Sequence, residues 1–159
     1  MAVMEQSLNR LLALIDQACW EGRGTNRFEA GDMYCMTFPD PALAMAAVER
    51  LAQEWDAFER SQGLGCPINI VVHKGELYAF RSFLYSIAIN VAVWVERATA
   101  HLPPGDTSIF VTRPIQRDLA GTPWHKRLQP VDVEPIVPQL AEIKVYRLEK
   151  PEPVSPEPP

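Results

Sequence analysis

The feature that limits this chain most is a hairpin signal held between two helix signals. From Asn26 to Phe38 the large residues Phe28, Tyr34 and Met36 sit among alternating positions around Gly31-Asp32, a dipeptide that turns two antiparallel strands tightly. Ahead of it, Leu8, Leu11, Leu12, Ile15 and Cys19 recur at helical spacing, which predicts a first helix from Leu8 that ends near Gly22 or Gly24. Behind it, Asp40 is a good N-cap and Pro41 suits the first helical position. Ala44, Ala47, Val48, Leu51, Trp55 and Phe58 then carry a second helix to about Ser61.

The remainder continues the alternation. After Gly63, Gly65 and Pro67, the short β-branched run Ile68 to Val72 reads as a buried strand, and Glu76 to Phe80 reads as a second strand pairing back on it. From Ser82 to Ala100 a helix is expected that is apolar on almost every side, so both its faces must be covered. A strand at Ser108 to Val111 follows, then a short helix capped by Thr112 with Pro114 near its start, and β-rich pieces at His125 to Val133 and Ile143 to Leu148. Helices interleaved with hairpins imply an α+β sandwich, a single antiparallel or mixed sheet with helices on one face.

Composition narrows the function classes. The 159 residues, 47% hydrophobic and 22% charged, make one folded domain, and 15 basic against 20 acidic residues give a formal charge of −5, which offers no basic field for nucleic acid. Cys19, Cys35 and Cys66 are an odd set without CxxC spacing, and the N-terminus lacks the pattern of a signal peptide. A reducing cytoplasm is the expected compartment. The longest apolar run, Ser86 to Val95, is too short to span a bilayer and contains Asn90, so no membrane insertion is expected. Pro151, Pro153, Pro156, Pro158 and Pro159 crowd the end of the chain, which predicts a domain over 1–149 and a disordered Pro-rich tail over 150–159.

Three pieces in order resemble the class III adenylate and guanylate cyclase catalytic domain. LNRLLALIDQACWEGRG leading into RFEAGDMYCMTF is similar to the family's helix, loop and Gly-Asp hairpin. INIVVHKGELY resembles its strand ending in His, one residue, Gly, Glu, and INVAVWVERA resembles the helix written V-N-x-A-x-R-x-x-x-A. GDTSIFVT and IKVYRL fall where the family has late strands. The resemblance implies a ferredoxin-like nucleotide cyclase homology domain, with a mixed or antiparallel sheet and helices packed on it.

In that family two aspartates hold two metal ions that activate the ribose hydroxyl and neutralise the triphosphate. The resemblance makes Asp32 the second of them. The first belongs on a strand further from the hairpin than residues 1–31 allow, so the domain is expected to be N-terminally truncated. The purine-reading lysine falls on Phe28, its partner aspartate on Phe83, the transition-state arginine on Trp94, and the late phosphate-binding lysine near Leu140; Asn90 alone keeps its type. Arg81 and Arg97 do not substitute simply. One lost electrostatic donor typically costs ~10²–10³ in rate, and several are absent together.

Plain structural readings stand beside these. Asp32 is accounted for by turn chemistry, or as a vestigial nucleotide-site position together with Asn90; Asn90 either touches a ribose or bonds a neighbouring loop backbone. His73 and Glu76 have ligand-like spacing, but His101 and His125 sit in Pro- and Gly-rich loops with no companion cysteine pair, so no metal site is expected. Cys35 reads as a small core hydrophobe. The all-round apolar helix is either core or interface, with Phe83, Tyr85, Ile89 and Trp94 as candidate contacts. Neither a phosphate-binding glycine loop nor a GxSxG nucleophile context is present.

The expectation is therefore a catalytically inactive cyclase-like protein with no catalytic residue and no cofactor. It would act as a homodimer or through an unidentified protein partner in a regulatory or scaffold role, and nucleotide binding is not expected. The alternatives are a non-catalytic subunit of a heterodimeric cyclase and a nucleotide sensor without turnover. Because a full central strand is lacking, the neighbouring strands or a dimer contact are expected to close the sheet edge.

Overall fold

In the computed structural model, residues 2–81, 83–102 and 105–151 are described, without the side chains of residues 2, 3 and 83. Helix α1 (Ala2–Glu21) leads into the hairpin β1 (Thr25–Ala30) and β2 (Met33–Thr37), and α2 (Pro41–Gln62) follows. Gly31 takes φ +65°, the left-handed conformation that a two-residue hairpin turn asks of its first central residue. Asp40 caps α2 as expected, its Oδ1 accepting from the N–H groups of Ala42 (2.8 Å) and Leu43 (3.1 Å). Helix α1 begins at Ala2 and not at Leu8, so residues counted as lying ahead of it belong to it.

Beyond Gly63 come β3 (Asn69–Val72), β4 (Tyr78–Phe80), β5 (Phe83–Tyr85) and α3 (Ile87–Thr99), then β6 (Ser108–Thr112), α4 (Arg113–Asp118), β7 (Leu128–Val131) and β8 (Val145–Leu148). Two expectations are corrected here. The apolar stretch from Ser82 is not all helix: residues 83–85 form a strand, and α3 starts only after Ser86, whose Oγ accepts the Ala88 N–H. Phe83, Leu84 and Tyr85 favour a pleated surface, and the Ser86 cap sets the change to helix. Strand β4 pairs antiparallel with β5 and not with β3. Ser82 itself lies outside the described residues.

The strands of the described residues form three sheets. A mixed four-stranded sheet has the order β3-β6-β8-β7, with β3 parallel to β6, while β1-β2 and β4-β5 are separate two-stranded ribbons. Helices cover both faces of the main sheet, where one face was expected. Alternation along β6 sends Ile109 and Val111 toward Met45, Val48 and Ala52 of α2 and Ile115 of α4, and sends Phe110 toward Val91 and Val95 of α3. A third cluster, Leu14, Ile15 and Ala18 of α1 with Ala47, Leu51 and Trp55 of α2, supports Tyr34 and Met36 of β2 and Ile68 and Ile70 at β3.

The expected closing of the sheet edge by neighbouring strands is not found. Among the described residues, strand β3 bonds only β6, and β2 bonds only β1. Lys150 is held to the domain by Asp56 and Asp106. The expected disordered tail falls, from residue 152 on, outside the described residues.

Candidate functional site

The positions singled out in the sequence gather around α3, the hairpin tip and the adjoining end of β3. Asp32 is exposed in the hairpin turn. Burial, and next the Asp32 carboxylate, push the Glu96 carboxyl in the last turn of α3 upward, with Arg97 opposing. Asn69 joins β3 to the same stretch: its Nδ2 donates to the Glu96 carbonyl (3.3 Å) and to Thr99 Oγ1 (3.0 Å), and its buried Oδ1 has no partner.

Two of the positions that the sequence resemblance assigns to charged residues, Trp94 and Leu140, lie in an apolar environment. Leu140, 1% exposed in a short 3-10 turn, belongs to the cluster of Val91, Val95, Ala98, Phe110 and Val145, and half-buried Trp94 packs against that cluster. Phe28 is not drawn there. It is half-buried on β1 opposite Cys35, on the hairpin face turned away from Tyr34 and Met36. The side chain of Phe83 lies outside the described residues. Asn90 is exposed and has no side-chain hydrogen bond among the described residues, so the expected bond to a loop backbone is not made.

Of the candidate contacts, Tyr85 is 65% exposed, whereas Ile89 and Trp94 are half-buried. Sequence reasoning missed their companions Tyr78, Phe80 and Ile87, all more than half exposed. Tyr78 is directly opposite Tyr85 in the ribbon, and Arg81 lies 5.6 Å over the Phe80 ring. For two of them the signal was present: Tyr78 and Phe80 are two residues apart, the period of one face of a strand.

His73 and Glu76 do not converge on a ligand. His73 Nδ1 meets Thr112 Oγ1 at 2.6 Å, and burial holds its pKa below the ordinary histidine value; the Glu76 carboxylate accepts the Tyr78 hydroxyl. His125 Nε2 is 3.0 Å from Gln116 Nε2, and His101 is exposed. Among the described residues no group of three His, Cys, Asp or Glu side chains is arranged to hold a metal ion. Burial raises the Cys35 thiol, with Arg27 opposing, the wrong direction for a nucleophile.

A cleft of about 320 Å³ between α2 and the end of β8 is lined by acidic and basic side chains that pair with one another. Buried Asp56 accepts from the Thr107 N–H (3.0 Å) and from Lys150 Nζ (3.2 Å), and Arg127 Nη2 pairs with Glu49 at 2.6 Å. Among the described residues no helix is long and apolar enough to cross a membrane.

No protein-family model and no curated protein matches the chain. Solved structures do. The adenylate/guanylate cyclase/hydrolase of Silicibacter pomeroyi superposes with TM-score 0.64 and 19% identity, over 92% of this chain and 83% of that one. The adenylyl cyclase CyaB of P. aeruginosa gives 0.61 and 12% over 95% and 84%. Adenylate cyclases of Trypanosoma brucei, solved in their monomeric state, give 0.62 and 14% over 91% and 79%. At such identities the likeness is one of fold: this chain has the α+β fold of the class III nucleotide cyclase domain, as the sequence resemblance implied.

Proposed function

We propose that this cyclase-fold chain does not turn over nucleotide and acts by association, as a homodimer or with a protein partner, in a regulatory or scaffold role. The observation that carries the reading is the environment of Leu140 and Trp94. Both take positions where the resemblance calls for phosphate-directed charge, and one is buried in, the other packed against, a single apolar cluster. Stabilising a transferring phosphoryl group needs oriented cations in place before the reaction, and an apolar cluster supplies none. Phe28 extends the replacement to the base-reading position.

The surface offered for association is the β4-β5 ribbon with the start of α3. Tyr78, Phe80, Tyr85 and Ile87 are all exposed there, and aromatic residues with an arginine are the usual anchors of protein contacts. Two measurements test the proposal: sedimentation of the purified chain, and incubation with ATP or GTP and Mg²⁺ or Mn²⁺. Self-association or capture of a protein partner without cyclic nucleotide supports it. Product above a no-protein control overturns it.

A further inference from the structure

The cleft between α2 and the end of β8, about 320 Å³, is at the lower end of the volumes that hold small molecules, about 300–1,000 Å³. Its wall joins an apolar side to a polar end. Ala52 of α2, Ile109 of β6 and Leu148 of β8 line it and belong to one core cluster. At the polar end the Asp56 side chain is only 5% exposed, yet the cation that meets it, Lys150, is 56% exposed. One Asp56 oxygen accepts from the Thr107 N–H (3.0 Å) and the other from Lys150 Nζ (3.2 Å), and the same ammonium bonds Asp106. A carboxylate so far from water is costly without a counter-charge, whereas an exposed lysine loses little by leaving. The need for an ammonium group is therefore fixed in the fold, and the side chain that meets it is exchangeable.

The other ion pairs specify the ligand. Arg127 is paired with Glu49 at 2.6 Å, and Arg60 with Asp106 at 3.5 Å. With Lys150 withdrawn, two carboxylates at the cleft are left without a cation among the described residues. One is Asp56; the other is Glu149, whose side chain has no ion pair even with Lys150 in place. We propose that the cleft is a binding site for a linear aliphatic diamine. One ammonium takes the place of Lys150 between Asp56 and Asp106, the other meets Glu149, and the methylene stem lies against Ala52, Ile109 and Leu148. Burying that stem is a gain that Lys150, more than half exposed, does not have.

Lys150 is then an internal competitor: it keeps Asp56 paired while the site is empty and is displaced when the diamine enters. An anion does not fit, because each cation of the wall is already held by a carboxylate. A bare metal cation would leave the apolar side of the cleft in water. None of these residues belongs to the β4-β5 ribbon, so this inference and the association reading can fail separately.

The test is titration of the full chain with 1,4-diaminobutane at constant ionic strength, followed by the amide resonances of Asp56 and Thr107 and the methyl resonances of Ile109 and Leu148. All four are expected to shift and saturate together. Lys150→Ala removes the competitor and should tighten binding by at least about tenfold. Glu149→Gln should weaken the diamine by about threefold or more and leave 1-aminobutane, which has one ammonium, unchanged. Asp56→Asn in the Lys150→Ala background should abolish the shifts; if that variant fails to fold, the two exposed substitutions still decide. Equal affinity in the wild type and Lys150→Ala overturns the proposal, as do the same shifts with magnesium chloride or methyl signals that stay in place. Tighter binding of the peptide acetyl-Gly-Lys-Gly-amide than of the diamine makes a polypeptide lysine the occupant and overturns it too.

Discussion

Tyr78 and Tyr85 stand directly opposite each other on the β4-β5 ribbon, and both rings remain more than half exposed. A cross-strand aromatic pair contributes to its own ribbon only about 0.2–1 kcal/mol, so most of its apolar surface is free to serve a contact. Replacing both by serine is expected to weaken association by about 2 kcal/mol, roughly thirtyfold, as for a contact anchor. Chemical unfolding should move by less than about 1 kcal/mol. Sedimentation at several concentrations reads the first effect; an unchanged association constant would place the contact elsewhere.

Restoring charge at a replaced position should be costly. Leu140→Lys puts an ammonium among Val91, Val95, Phe110 and Val145, where no carboxylate belongs to the cluster. A loss of at least about 3 kcal/mol in urea unfolding is expected, against under about 1.5 kcal/mol for Leu140→Met, which keeps the volume. Wild-type stability for the lysine variant would mean that the side chain reaches water or an acid, and that the position is still a polar site.

Local chemistry made much of this fold legible. The Asp40-Pro41 start of α2 and the Gly31-Asp32 turn were readable because each is fixed by a few neighbouring residues. The start of α3 was not. Phe83 to Tyr85 continue an apolar run into the helix, and only the Ser86 hydroxyl, bonded to Ala88 N–H and Glu76 carbonyl, marks the change. Helices on both faces had a signal in the uninterrupted apolar run Ile109-Phe110-Val111, since a strand covered on one side only alternates. The sequence brought Trp94 and Leu140 forward through the resemblance alone; that they share one cluster depends on contacts between distant segments. The β4-β5 pairing is local and escaped for a different reason: Phe83 to Tyr85 read as the start of the apolar helix and not as a strand.

His73 makes a signed pH prediction. Burial lowers its pKa, so the folded state favours neutral imidazole, and the unfolded chain, near the ordinary value of about 6.5, binds the proton more readily. The contribution is present above pH ~6.5 and is lost as pH falls through the lower folded value. His73→Gln should flatten the fall of the thermal midpoint below that pH. An unchanged slope would show that other groups dominate acid unfolding.

Asp56 joins α2 to the strand edge through the Thr107 N–H and to the C-terminal segment through Lys150. Asp56→Ala leaves that N–H without its acceptor and is expected to cost about 1–3 kcal/mol. Lys150→Ala acts on a half-exposed, solvent-screened partner and should cost about 1 kcal/mol or less. Urea titrations of the two variants check the order; equal losses would contradict it.

The central claim is that a chain with a cyclase fold has apolar packing where turnover needs charge. Its most direct test is nucleotide turnover by the purified full chain, with ATP and with GTP, in Mg²⁺ and in Mn²⁺, at a protein concentration where sedimentation shows its association state. The account predicts cyclic nucleotide no higher than in a no-protein control under all four conditions. Product that rises with protein concentration and with time would contradict it.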